Sequence, residues 1–202
     1  MAIFILVHGA GHGGWCWEKV VPLLEARGHK VCAPDLPGLG KDQTPPANVQ
    51  LADNVERISR LLDKMEEPVV LVGHALGGVT ISQTAEARRR KIKALVYVCG
   101  LMPPSGKASR EMTAGDPDML FRRSREVSPD GLTYTFARAQ LPAMFYEDVS
   151  PEDRYRAMER LRPQPISIST TPVTLTEERF GSGPRWYIER SEEHTSELQS
   201  RE

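Results

Sequence analysis

The stretch Val69-Val70-Leu71-Val72-Gly73-His74-Ala75-Leu76-Gly77-Gly78 has the residue types and spacing from which chemistry would be expected. Its four leading apolar residues, three of them β-branched, read as a buried parallel strand. Glycines then permit a tight turn, and residues 79–90 continue as a helix. Strand, sharp turn and helix in the frame G-x-S-x-G form a nucleophile elbow, which lifts a serine above a sheet to attack a carbonyl carbon. Here the central position is Ala75, the nucleophile position at which serine is expected. A methyl group cannot attack a carbonyl, so the covalent acyl route is closed at this residue.

A second glycine-rich stretch, His8-Gly9-Ala10-Gly11-His12-Gly13-Gly14, follows an apolar strand at residues 2–7. Such a loop exposes backbone N–H groups and lets a ligand approach the main chain. A phosphate loop would require G-x-x-x-x-G-K-[ST], and no lysine follows here. A tight turn without a ligand is the plain alternative. No H-E-x-x-H or comparable spacing is present, so neither a metal nor a cofactor is expected.

The elements that must hold these two stretches alternate. A helix is expected over residues 17–27, with Val20, Leu23 and Leu24 on one face and Gly28 as a left-handed cap. A strand follows at 29–33, then an irregular loop from Pro34-Asp35-Leu36-Pro37-Gly38-Leu39-Gly40 to Pro46. Residues 51–65 are helical, because Leu51, Val55, Ile58, Leu61, Leu62 and Met65 recur at spacings of three and four. Another apolar strand lies at 92–99. This order implies an α/β fold with right-handed crossovers and a mostly parallel sheet covered on both faces. Ligands of such sheets bind beyond the carboxyl ends of the strands, where both glycine stretches fall.

From residue 101 to 176 prolines and charges become frequent and no strong strand appears, which reads as an inserted, mainly helical lid. Ser150-Pro151-Glu152-Asp153 starts a helix that runs to about Leu161. Residues 177–189 return to the core through the strand-like Arg185-Trp186-Tyr187-Ile188-Glu189. Residues 190–202 lack apolar periodicity and read as the translation of a sequencing-library adapter, a non-native tail.

At 202 residues the chain suits one core. A formal net charge of −1 argues against nucleic acid as the main partner. No apolar run nears the roughly 20 residues that span a bilayer, and the apolar start lacks a basic leader. Cys16, Cys32 and Cys99 have no C-x-x-C spacing and read as free thiols in a reducing cytoplasm.

Taken together, the sequence resembles the α/β-hydrolase superfamily. The resemblance is closest to the branch of plant methyl esterases, the salicylate-binding esterase among them, hydroxynitrile lyases and bacterial esterase relatives. It rests on Leu6-Val7-His8-Gly9-Ala10-Gly11-His12-Gly13-Gly14-Trp15-Cys16-Trp17, the Pro34–Gly40 loop, the elbow, and Phe145-Tyr146-Glu147-Asp148 through Pro165. The resemblance implies an α/β-hydrolase core over residues 1–100, a lid over 101–176, a return to the core over 177–189, and a sheet missing its last strand and helix. It implies an oxyanion hole formed by the backbone N–H groups of Ala10 and Leu76, with the nucleophile at position 75. The family's acid would fall by register at Glu193, and the catalytic histidine is absent: His8, His12 and His74 are expected to be structural, and His194 is poorly placed beside Glu193.

The implied activity is hydrolysis of small, apolar carboxylic esters by serine acyl transfer without a cofactor, in a form expected to be inactive as written. Leu141, Met144 and Phe145 of the lid suit such a ligand, and a homodimer is also an expectation. A hydroxynitrile lyase is the first alternative, weakened because Ala10 offers no side-chain hydroxyl. A ligand-binding pseudohydrolase is the second.

Overall fold

The computed structural model describes residues 1–114 and 120–189. The apolar runs form β1 (Ile3–Val7), β2 (Lys30–Cys32), β3 (Val69–His74) and β4 (Ile92–Val98). Between them lie α1 (Val21–Glu25), α2 (Leu51–Asp63) and α3 (Gly77–Arg88). A lid follows β4, with short helices α4 (Ser109–Met112), α5 (Leu120–Arg123), α6 (Leu141–Phe145), α7 (Pro151–Arg160) and α8 (Ser167–Thr170). Strands β5 (Arg125–Val127), β6 (Thr133–Phe136) and β7 (Gln164–Pro165) also belong to this insertion. The chain then returns to the main sheet as β8 (Arg185–Ile188).

The main sheet has the order β2-β1-β3-β4-β8, and every pairing in it is parallel. Successive side chains alternate between its faces. Ile5, Val7, Val69, Leu71, Leu95 and Tyr97 face α2 and α3, where Ile58, Leu62, Ile81 and Ala85 complete a cluster that excludes water. Leu6 and Val72 point the other way, against Trp17, Val21 and Leu24. These two packed layers hold the carboxyl ends of β1 and β3 side by side, which brings the glycine loop to the elbow.

Two expectations are corrected. The helix expected over 17–27 is instead a 3-10 turn at Gly14–Trp17 followed by the five-residue α1. Pro22 has no N–H and fits only the first turn of a helix, so the helix begins beside it. Of the expected face, Leu24 packs inward whereas Val20 and Leu23 are exposed. Gly28 does close the helix, at φ 78, with its N–H donated to the Glu25 carbonyl at 2.8 Å.

The second correction concerns the lid, which carries a three-stranded antiparallel sheet in the order β5-β6-β7. Alternation in Thr133-Tyr134-Thr135-Phe136 is its cause: the two aromatics are buried and Thr135 is exposed. The Ser150 cap is as expected, its hydroxyl accepting from the Asp153 N–H at 3.2 Å.

Candidate active site

At the end of β3 the chain turns at Ala75 with φ 47, in the left-handed region. For a residue with a Cβ this costs about 1–2 kcal/mol. The turn is held by its neighbours. The Ala75 N–H donates to Val98 O at 3.2 Å, and its carbonyl accepts from Gly78 N at 3.0 Å and Leu101 N at 2.9 Å. Glycines permit the close approach that follows. A Cβ on Gly77 would lie 2.7 Å from the carbonyl oxygens of Val7 and His8, and one on Gly78 would collide with the backbone at Leu101.

The glycine loop lies directly against this apex: a Cβ on Gly9 would be 3.2 Å from that of Ala75. Ala10 and Leu76 are both buried, and they share one apolar cluster with Tyr134, Phe136, Leu141 and Tyr146 of the lid. Met144 and Phe145 pack against the same cluster. Among the described residues, neither the Ala10 N–H nor the Leu76 N–H is donated to a protein acceptor, although the turns around them are otherwise well bonded. Asp35 fixes the far side of the loop, accepting from Gly14 N at 2.7 Å and Lys41 N at 2.9 Å.

Three histidines surround the loop, and burial lowers the pKa of each. His8 falls to about 4; its Nδ1 donates to Gly9 O at 3.0 Å and its Nε2 accepts from Leu36 N at 3.1 Å. His74 also falls to about 4, through burial and then the neighbouring His12 and His8, and it packs edge-on against Trp17. His12 is lowered by burial against the opposing effect of its bond to the Ala10 carbonyl. Its Nδ1 donates to that carbonyl at 2.7 Å, and its Nε2 accepts from the Tyr146 hydroxyl at 2.8 Å. With both ring nitrogens engaged, neither His8 nor His12 is free to act as a general base. His29 accepts from Ala2 N at 3.3 Å, at the opposite end of the sheet from the elbow.

The family model described as "Alpha/beta hydrolase family" matches residues 4–201. The chain belongs to this family.

The chain is 34% identical to salicylic acid-binding protein 2 of Nicotiana tabacum over 207 residues, covering 92% of the chain and 76% of that protein. It is 33% identical to methyl jasmonate esterase 1 of Vitis vinifera, with the same coverages. It spans 57% and 46% of two longer, chloroplastic methylesterase-type relatives from Arabidopsis thaliana, at 31% and 29% identity. Among solved structures, tomato methylketone synthase I superposes with a TM-score of 0.82 at 30% identity in its H243A variant with β-ketoheptanoate. That comparison covers 95% of this chain and 80% of the other. The same enzyme complexed with 2-tridecanone gives a TM-score of 0.81 at 28% identity, covering 96% and 80%.

The hydrolase fold thus brings together Ala75, Ala10 and Leu76. Glu193, His194 and the adapter-like tail lie outside the described residues. Sequence reading missed the lid's grip on the loop: Gln164 Oε1 accepts from Gly11 N at 2.9 Å, and Gly11 O accepts from Arg162 N at 2.9 Å. No local pattern announces these contacts, because the partners are some 150 residues apart in the chain. It also missed Cys99, a second non-glycine residue in the left-handed region, at φ 45, whose N–H donates to Ile188 O at 2.9 Å. Among the described residues no helix is long and apolar enough to cross a membrane.

Proposed function

We propose that the chain is built on a carboxylic ester hydrolase site and uses it to hold a carbonyl or carboxylate oxygen against the N–H groups of Ala10 and Leu76, with no acyl transfer at position 75. The observation that carries this reading is Ala75 itself, held at φ 47 at the apex of the elbow and touching the glycine loop. A costly backbone conformation persists where the surroundings enforce it, and such strain gathers at functional sites. The esterases among the relatives support small esters as the ligand class, and the apolar lid residues around Ala10 and Leu76 support an apolar acyl or alcohol part.

Two amide donors aimed at a developing oxyanion are each worth roughly 2.7–4 kcal/mol of transition-state stabilisation. Without a nucleophile such donors still leave about 10³–10⁴-fold acceleration over water, but no acyl-enzyme.

The missing nucleophile also favours a second reading, from another reaction class. Loss of carbon dioxide from a β-keto acid needs no attacking group. The bond from the α-carbon to the carboxylate breaks, and its electron pair forms an enolate whose oxygen the two N–H groups would hold. The α-carbon then takes a proton from water. The similarity to a methylketone synthase bound to β-ketoheptanoate supports this chemistry.

Both readings are tested with p-nitrophenyl butyrate and 3-oxohexanoate, on the chain and on Ala75→Ser. The first predicts no burst of p-nitrophenol from the chain, and a burst from Ala75→Ser only in a chain completed with a histidine base that reaches position 75. A stoichiometric burst from the chain as it stands would overturn it. Carbon dioxide release from 3-oxohexanoate, unchanged by Ala75→Ser, would put the second reading first.

A further inference from the structure

Four backbone groups on the Gly9–Gly11 segment are taken by protein partners. The Gly9 carbonyl accepts from His8 Nδ1 at 3.0 Å and from His12 N at 3.4 Å. The Ala10 carbonyl accepts from His12 Nδ1 at 2.7 Å. Gly11 N donates to Gln164 and Gly11 O accepts from Arg162 N, each at 2.9 Å. The Ala10 N–H is left between these anchors. His12 therefore grips the peptide groups on both sides of Ala10, one with its backbone and the other with its ring.

That ring can donate to the Ala10 carbonyl only if its proton is on Nδ1. Which nitrogen carries the proton is set by the bond the other nitrogen makes. The other bond here comes from the lid: the Tyr146 hydroxyl lies 2.8 Å from Nε2. The Ala10 carbonyl can only accept, so Nδ1 carries the proton, Nε2 is the acceptor and the Tyr146 hydroxyl is the donor. Trp15 stacks on the imidazole at 5.2 Å and Phe145 meets it edge-on at 5.5 Å, which fixes the ring plane.

We propose that His12 is a positioning residue whose Nδ1–H tautomer is held between the Ala10 carbonyl and the Tyr146 hydroxyl, so that a side chain of the lid helps to set the direction of the Ala10 N–H. The inference rests on the reading of Ala10 and Leu76 as the oxygen-binding pair, and it gives that site a device: the donor is fully aimed only when the lid is seated. Tyr146 acts through the imidazole, its hydroxyl bonded to Nε2.

The experiment is nitrogen-15 NMR on the chain, on Tyr146→Phe and on Tyr155→Phe, with hexanoate as the probe. Tyr146→Phe keeps the ring and removes only the hydroxyl; Tyr155 is exposed on α7 and serves as the lid control. The chain should show the His12 ring pattern of an Nδ1–H tautomer, and hexanoate should shift the amides of both Ala10 and Leu76. In Tyr146→Phe the ring signals should move toward a tautomer mixture, and hexanoate affinity should fall about fivefold, the scale of one hydrogen bond. The Ala10 response should shrink there while that of Leu76 persists. An Nε2–H tautomer in the chain would overturn the proposal outright. So would a Tyr146→Phe protein with unchanged ring signals and an unchanged Ala10 response, or a Tyr155→Phe protein with the same changes. If hexanoate moved neither amide in the chain, the oxygen-binding reading would fail, and the His12 ring signals without ligand would still uphold or overturn the hold on the tautomer.

Discussion

The glycine loop is gripped from two sides by different means. On the elbow side backbone meets backbone: Gly77 lies against the carbonyls of Val7 and His8, Gly78 against Leu101, and Gly9 against the carbonyl of His74. On the lid side the ties include two side chains, Tyr146 through His12 and Gln164 on Gly11, and one main-chain bond, Arg162 N on Gly11. The difference sets what each side can do. Close-packed backbone has no rotamers to change and either fits or fails. A bond through a side-chain hydroxyl is worth about 1 kcal/mol and can be made or broken singly. One wall is fixed and the other adjustable.

Breaking the fixed wall should have the largest effect. Gly78→Val forces two methyl groups into the Leu101 backbone, and overpacking of this kind costs about 3 kcal/mol or more. Urea denaturation should show the midpoint falling steeply or the cooperative transition disappearing. A variant with an unchanged midpoint would mean that the elbow is not closely packed.

Acid should weaken both walls together. Folded His8 holds its pKa near 4 because it is buried, whereas in the unfolded chain it takes a proton near the ordinary 6.5. As pH falls from about 6.5 toward 4 the unfolded state binds more protons, so stability is lost across that window and this contribution levels off below it. For His8 alone the loss approaches roughly 3 kcal/mol, and His74, also near 4, adds to it. Thermal melts at pH 7, 5.5 and 4.5 should show a progressive fall. A melting temperature that stays flat would contradict the neutral, buried histidines.

A smaller effect is expected on the adjustable wall. Gln164→Leu keeps a similar volume but leaves the buried Gly11 N–H without its acceptor, at a cost of about 1–3 kcal/mol. Hydrogen exchange should quicken at Gly11 while the amide of Ala75, bonded to Val98 on the fixed wall, keeps its protection. Equal loss of protection at both sites would mean that the two walls are one unit.

The two walls also differ in how far the sequence discloses them. The elbow is local: ten consecutive residues contain the strand, the turn and the glycines, so the turn at Ala75 could be placed from spacing alone, while the role of Leu76 came only with the family resemblance. The parallel sheet was legible for the same reason, through β-branched runs separated by amphipathic helices. The lid's contacts were not, because Tyr146 lies 134 residues from His12 and Gln164 lies 153 from Gly11, and each is one polar residue with no periodic signature. The lid sheet was missed although Thr133-Tyr134-Thr135-Phe136 alternates, since four residues among prolines and charges make a weak pattern. The short α1 shows the opposite error, apolar spacing read as a long helix across Pro22.

On the function proposed above, Ala10 and Leu76 together hold one oxygen of a ligand beside Ala75. A crystal structure of the chain soaked with hexanoate tests this most directly. One carboxylate oxygen should lie within about 2.7–3.1 Å of both amide nitrogens, with the alkyl chain against the apolar lid residues. Hexanoate bound elsewhere, or both amides turned away from the bound oxygen, would contradict it.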